Sequence, residues 1–428
     1  MVKLRPMQAE IVEYESGMMG VAAVPGSGKT FTLSLLASQL ISRGKINDDQ
    51  EILIVTLVNS AVDNFSTRIA GFMRKNGLLE NMGYRVRTLH GLAHDIVRER
   101  PDLAGLSEQF SIVDESDAAR MIEAATSVYL REHPELAALY MEPSIDLHAE
   151  PKTHKAWNDM MTTLNTNFIS QAKDLQLDAA DIQEKIEKYH LSDPLLEMAL
   201  EVYLEYQRGL RYRGAVDFSD LIRLAYRVLS SDIEFLERLR YRWPYILEDE
   251  AQDSSQVQEK ILRKLVGPQG NWVRVGDTNQ AIYETFTTAS PKFLRDFLHE
   301  SNVIAKDLAN SGRSNKSIIR LANTLNKWTQ TAHPVEQLRT SFTLPYIIPA
   351  PVGDPQPNPP DSPQSVFILK SPVSSDEEIR KVVDSIKNWL PEHQDKTVAV
   401  LCPIGFHAEK VAEALQAAGV EIVEMLKS

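Results

Sequence analysis

Ala23-Val24-Pro25-Gly26-Ser27-Gly28-Lys29-Thr30 decides the reading of this chain. An apolar run over 18–24 leads into it. Behind it Leu33, Leu36, Ala37, Leu40 and Ile41 recur at helical spacing until Gly44. Strand, tight loop and helix in that order predict a phosphate-binding loop. Small residues let backbone N–H groups close around phosphate oxygens, and the helix behind presents the positive end of its dipole. In such a loop Pro25, Gly26, Ser27 and Gly28 shape the cradle, Lys29 reaches the β- and γ-phosphates, and Thr30 offers its hydroxyl to Mg2+. A glycine-rich turn that merely joins two elements is the alternative, and the ordered context argues against it.

Working outward, 51–58 (EILIVTLV) reads as a second buried strand and 61–72 as a helix. Residues 244–250 (PYILEDE) and 271–276 (NWVRVG) read as further strands. The first ends in Asp249-Glu250, an acidic pair suited to hold Mg2+ (Asp249) and to orient and deprotonate an attacking water (Glu250). An acidic pair at a solvated strand end is common, so its weight comes from Gln252-Asp253 just after it and Gly276-Asp277 at the end of the next strand. Glu248 sits in an otherwise apolar run, which predicts an edge strand or one with a polar side. The loop Gly276-Asp277-Thr278-Asn279-Gln280 places Gln280 to sense a γ-phosphate or its water.

Between 95 and 213 long helical patterns dominate, with no clear strands, and read as a helical insertion. Its charged faces read as solvated, with a basic cluster at Arg208, Arg211 and Arg213. Residues 343–365 hold eight prolines and read as a stiff linker or surface loop rather than a packed element. Beyond it VFILK, EEIRKVVDSIKNWL, KTVAVLC, FHAEKVAEALQAAG and EIVEML alternate as strand and helix, predicting a second parallel sheet. The fold class expected is α/β.

Composition narrows the class. At 428 residues the chain is long enough for two or three domains. Hydrophobic residues make up 43% and charged residues 25%, as in ordinary globular proteins. No apolar run is long enough for a membrane span. The single cysteine, Cys402, is expected in the core and suits a reducing cytoplasm. A net charge of −13 argues against a protein that coats nucleic acid generally, but not against a local basic groove. The ten histidines show no metal-ligand spacing. Trp157, Trp243, Trp272 and Trp328 are assigned to packing.

Taken together, PGSGKT, DEAQDS, GDTNQAIY and an early Gln8 resemble the UvrD/Rep family of superfamily 1 DNA helicases, in matching order over about 1–325. The resemblance implies a RecA-like P-loop NTPase motor domain at 1–95 plus 213–310, a helical insertion at 96–212, and a partial second RecA-like domain at 311–428. It implies ATP and Mg2+ as cofactors, and single-stranded DNA or duplex/single-strand junctions as partners, with 3′ to 5′ travel. It also implies residue roles. Gln8 reads adenine; Thr56, Asn59, Thr88 and His90 touch single-stranded DNA; Asp217, Phe218 and Asp220 form a structural segment. Gln280 and Tyr283 couple ATP to DNA, and Arg313 contacts the γ-phosphate from the second motor domain.

Several departures carry expectations of their own. Ser311-Gly312-Arg313-Ser314 stands where relatives often have Asn-Tyr-Arg-Ser. The tyrosine stacks on adenine in relatives and Gly312 cannot, which leaves weaker base selectivity or another stacking side chain. Phe286 is divided between a DNA-base contact and a core position. Leu57 stands where relatives often have Phe. A later Gly-Leu-Glu segment and an arginine finger, worth about three to five orders of magnitude in rate in related chemistry, are not found before Ser428. The chain is therefore expected to be a fragment, a truncated product or half of a split protein, with a second polypeptide supplying the missing motor motifs. Three readings follow: an ATP-dependent DNA helicase or translocase, an ATP- and DNA-binding module with little hydrolysis, and a non-motor P-loop regulatory ATPase.

Overall fold

Strand pairing that is parallel throughout sets the architecture. The computed structural model describes residues 3–142, 151–281, 289–362 and 364–423. The chain divides into two compact units, Met1–Ser362 and Pro363–Ser428.

In the first unit α1 (Pro6–Val12) precedes β1 (Met18–Ala23), α2 (Lys29–Ser42), β2 (Ile52–Thr56), α3 (Asn59–Lys75), β3 (Tyr84–Thr88), α4 (Leu89–Glu99) and α5 (Pro101–Ala104). After a helical stretch the sheet resumes with β6 (Tyr245–Glu248), β7 (Asn271–Gly276) and β8 (Val303–Leu308), in the spatial order β3-β2-β6-β7-β1-β8. Strands buried on both faces need continuous apolar runs, and MMGVAA and ILIVT supply them. Alternation along β2 divides the core between the faces. Ile52 and Ile54 join Leu33, Leu36 and Phe65 on one side; Leu53 and Val55 join Leu92, Leu221 and Leu262 on the other.

Glu248 is neither on an edge strand nor solvated. β6 lies between β2 and β7, and the carboxylate is buried against fully buried Arg274 of β7, 2.8 Å away. The polar side expected of this strand is an internal ion pair, closed by Ser254 Oγ donating to Glu248 Oε1 at 2.7 Å.

The stretch between the two halves of the sheet is helical but not free of strands. β4 (Ser111–Val113) pairs in parallel with β5 (Ala215–Asp217). Between them run α6 (Glu115–Glu132), α7 (Glu135–Tyr140), α8 (Pro151–Asp174), α9 (Ala179–Tyr189) and α10 (Pro194–Tyr212), around a core holding Trp157, Ile169, Tyr203 and Tyr206. A three-residue pair leaves too short an alternation to read in sequence. Then follow α11 (Phe218–Ser231), α12 (Ile233–Arg242) and α13 (Gln256–Val266), which pack on the sheet, and α14 (Pro291–Leu298) just before β8.

Up to Ser362 the proline-rich stretch takes the surface-loop alternative, mostly exposed yet tied to the first unit. After β9 (Asn310–Ser311) and α15 (Lys316–Ala332), β10 (Ile348–Pro349) pairs with β9, and the chain to Ser362 belongs to the first unit. Proline restricts the backbone but leaves carbonyls and neighbouring side chains free to bond. Asn358 Nδ2 donates to the carbonyls of Ser311 at 2.6 Å and Ser314 at 2.9 Å.

The second unit holds α16 (Ser375–Trp389) and α17 (Gly405–Ala417), joined through Val383, Ile386, Val411 and Leu415, with Cys402 partly buried beside them. The strands expected over VFILK and KTVAVLC are not formed: no strand occurs among the described residues of this unit. These short apolar runs meet no partner strand among the described residues, and Phe367 and Leu401 stand 85% and 91% exposed. Trp157, Trp243 and Trp272 are buried as expected, but Trp328 is not, at 45% exposure on an outer face of α15. No helix among the described residues is long and apolar enough to cross a membrane.

Candidate functional site

All the candidate residues within the described chain lie along one side of the sheet or in the segments that follow its strands. Parallel strands deliver their C-terminal ends to a common edge, the position where open α/β sheets bind ligands. Across the edge the strand order sorts the candidates. β3 and β2 carry Thr88, His90, Thr56 and Asn59; β6, β7, β1 and β8 lead into Asp249, Gln280, the phosphate loop and Arg313. Asp249 N donates to Val55 O at 2.9 Å, which joins the two groups.

The phosphate loop is anchored at its start by Val24 N donating to Leu308 O at 3.0 Å. Gly26 has φ +73°. A Cβ there would lie 2.4 Å from Arg313 Cβ, so glycine is what lets segment 311–313 rest against the loop. Gly28, at φ +87°, opens α2 in the left-handed region. Lys29 Nζ lies 2.9 Å from Glu250 Oε2, and Thr30 Oγ1 donates to Asp249 Oδ2 at 3.2 Å. Two side chains from the loop thus meet two from the acidic pair, more than two hundred residues away in sequence. Glu250 itself holds φ +54°, a costly conformation for a residue with a side chain and one that turns the chain sharply at the strand end.

Burial sets the electrostatics. It pushes the Asp249 carboxyl up to about 7, with the neighbouring Glu250 charge adding to the effect. Asp253 is pushed up to about 6 by the same two causes, and burial raises Asp277. Asp249 Oδ1 and Asp277 Oδ2 are buried with no hydrogen-bond partner among the described residues. Carboxylate oxygens left bare beside a threonine hydroxyl are the donor set a hard divalent cation takes, so Thr30 and Asp249 fit Mg2+. Gln252 braces the acids: its Nε2 donates to Glu250 Oε2 at 2.9 Å and Asp253 Oδ2 at 3.0 Å, and its Oε1 accepts from Asp277 N at 2.9 Å.

Around these groups lies a cleft of about 420 Å³, lined by the whole phosphate loop together with Gln8, Glu250, Gln280 and Arg313. Gln8 Nε2 donates to Ser27 O at 3.0 Å and its Oε1 accepts from Arg5 N at 3.1 Å. One N–H and one acceptor lone pair of that amide stay open. Sequence reasoning missed other lining residues: Arg5, Arg68, Asp354, Pro355 and Gln356. Arg5 and Asp354 are joined across 349 residues, a separation at which no local pattern carries a signal.

The nucleic-acid candidates occupy the other half of the edge. Thr56 and Thr88 are register partners at the ends of β2 and β3. The Thr56 hydroxyl is buried with no hydrogen-bond partner among the described residues, whereas Thr88 caps α4 by accepting from Gly91 N at 3.1 Å. Asn59 is exposed at the start of α3. His90 meets the Phe218 ring edge-on at 5.7 Å, and burial lowers its pKa, keeping the imidazole neutral near pH 7. Tyr283 and Phe286 lie outside the described residues.

The segment Asp217-Phe218-Ser219-Asp220 has a structural task. Asp217 caps α11 by accepting from Asp220 N at 2.8 Å, and buried Lys173 of α8 contacts Asp217 at 2.5 Å and Asp220 at 2.9 Å. The Lys173 ammonium holds the Asp217 carboxyl below its ordinary range against burial, which acts the other way.

Comparison with known proteins agrees with this arrangement. Residues 4–302 match the family model of the UvrD/REP helicase N-terminal domain. The chain is 27% identical over 340 residues to DNA helicase II of Haemophilus influenzae, covering 76% of this chain and 42% of that protein. It is 28% identical over 325 residues to DNA helicase II of Escherichia coli, covering 75% and 40%. It is 29% identical over 332 residues to ATP-dependent DNA helicase UvrD1 of Mycobacterium tuberculosis (strain H37Rv), covering 75% and 39%. The matches span about two fifths of the length of these relatives. With most of its length matched by that model and the loop, Glu250 and Gln8 gathered at one cleft, the chain belongs to the UvrD/Rep helicase family.

Proposed function

We propose that this chain carries the ATP-hydrolysing site of a DNA helicase or translocase, built on a RecA-like motor domain, with 311–428 contributing the beginning of a second. The observation that carries the proposal is the meeting of Lys29 with Glu250 and of Thr30 with Asp249, three of the four lining one cleft.

In this reading the loop amides and Lys29 bind the β- and γ-phosphates. As Lys29 Nζ turns to a phosphate oxygen it leaves Glu250, whose carboxylate is then free to orient the attacking water and take its proton. Thr30 and Asp249 would hold Mg2+, which when bound draws charge from the phosphate oxygens. Gln280 senses the γ-phosphate end, Arg313 adds positive charge from the segment against Gly26, and Gln8 offers its open amide edge to adenine. Thr56, Asn59, Thr88 and His90 hold single-stranded DNA or a duplex/single-strand junction, with 3′ to 5′ travel taken from the family. Tyr283 and Phe286 would complete that surface. A reducing cytoplasm suits the lone Cys402.

Equilibrium binding and turnover of Mg·ATP test the site. Lys29→Ala is expected to weaken binding at least tenfold. Glu250→Gln is expected to bind ATP as well as the parent while hydrolysing it about a hundredfold or more slowly, the scale of a lost general base. If Glu250→Gln hydrolyses ATP at the parent rate, the assignment of the acidic pair is wrong.

A further inference from the structure

The cleft has one wall that no loop or strand-end motif accounts for: the segment Gly353-Asp354-Pro355-Gln356-Pro357-Asn358. Pro355 and Gln356 line the cleft beside Gln8, Phe31 and the phosphate loop. The segment is fastened, not draped. Arg5, itself buried, donates from Nε to Asp354 Oδ2 at 2.7 Å and from Nη2 to Oδ1 at 3.2 Å, and its Nη1 donates to Asn310 O at 2.8 Å. This fork holds the Asp354 carboxyl below the ordinary carboxylate range. Asn358 ties the far end to the carbonyls of Ser311 and Ser314, and accepts from Ala350 N at 2.9 Å.

The fastened segment lies where a side chain at position 312 would have to go. A Cβ on Gly312 would stand 2.0 Å from Gln356 O and 2.9 Å from Arg5 Nη2. Backbone cannot yield by that much, so this wall and a side chain at 312 exclude one another. The chemistry of the wall also suits one end of a nucleotide. Arg5 is neutralised by Asp354, and Lys3 turns its ammonium to the Gly353 carbonyl. Beyond the ion-paired Asp354, what the segment presents to the cleft is a proline ring and an amide, groups suited to a flat heteroaromatic ring.

We propose that 353–358 is the base-side wall of the nucleotide cleft, with Pro355 and Gln356 touching the purine ring, and that position 312 is glycine so that the wall can sit there. Arg5, Asp354 and Asn358 are positioning residues. The proposal rests on the reading of the cleft as an ATP site. It assigns base recognition to the backbone and side chains of segment 353–358 in place of a side chain at 312.

The test compares ATP with inorganic tripolyphosphate, which has the charge and no base. Gly312→Ala and Asp354→Ala are expected to weaken ATP binding roughly tenfold, the size of one base contact, and to leave tripolyphosphate binding within twofold. Lys29→Ala is expected to weaken both. Because the first two variants risk misfolding, the surface trim Pro355→Ala/Gln356→Ala is measured beside them, with thermal melts of all three, and the same selective loss is expected. Equal losses for ATP and tripolyphosphate in a folded variant, or no loss of ATP binding in any of them, would overturn the wall. Failure of the parent chain to bind either compound would instead overturn the ATP-site reading itself.

Discussion

At the residue scale the site is built from groups that would be more comfortable elsewhere. Asp249 is buried next to Glu250 and its carboxyl is pushed up to about 7, while Glu250 occupies a left-handed backbone. Such arrangements cost stability and persist at functional sites. The cost has a definite pH signature. With its folded pKa above the ordinary aspartate value, Asp249 favours the folded state below about pH 4, and that contribution is lost as pH rises to about 7. Removing the ionisable group in Asp249→Asn is therefore expected to stabilise the nucleotide-free protein at pH 8, by a few kcal/mol at most, and by less at pH 5. Urea unfolding at both values in EDTA measures it; an Asn variant less stable than the parent at pH 8 would refute this account of Asp249. Lys29, Thr30 and the acidic pair were legible in sequence because each belongs to a short motif with a fixed chemical task. Arg5 and Asp354 were not, because their partnership is made only by folding.

At the scale of elements, legibility followed length and burial. β1, β2, β6 and β7 are apolar runs bounded by polar loops, and each was readable. The three-residue β4 and β5 were not. Glu248 shows how a correct observation leads two ways: a charge in an apolar strand signals a polar side, and only the strand order places that side inside the protein against Arg274. The strands expected in the second unit had the apolar runs a buried strand needs, but an apolar run does not supply a neighbour to pair with. Lys173 is the opposite case, a lysine unremarkable in its helix that proves to be the tie between α8 and the start of α11. Replacing it with Met leaves buried Asp217 without its cation and Asp220 with Arg223 alone, at 3.4 Å, expected to cost about 3–5 kcal/mol. Hydrogen exchange locates the effect. Amides of α8 and α10 should lose protection before those of β2 and β6, and equal loss in all four would argue against a local tie.

At the scale of the molecule, one parallel sheet sets two groups of candidate residues along a single edge. The nucleotide candidates lie toward β1, β7 and β8, and the polynucleotide candidates toward β3 and β2, with β6 between them. The Asp249 N to Val55 O bond links the ends of β6 and β2 and so ties the residue before Thr56 to the acidic pair. With a net charge of −13, a DNA contact would depend on a locally basic surface and be sensitive to salt.

The measurement that bears most directly on the central claim is steady-state ATP hydrolysis by the 428-residue chain with and without single-stranded DNA, at low salt, beside Lys29→Ala and Glu250→Gln. The account predicts hydrolysis that single-stranded DNA raises severalfold and that both substitutions abolish. Hydrolysis indifferent to DNA, or a DNA-stimulated rate that survives either substitution, would contradict it.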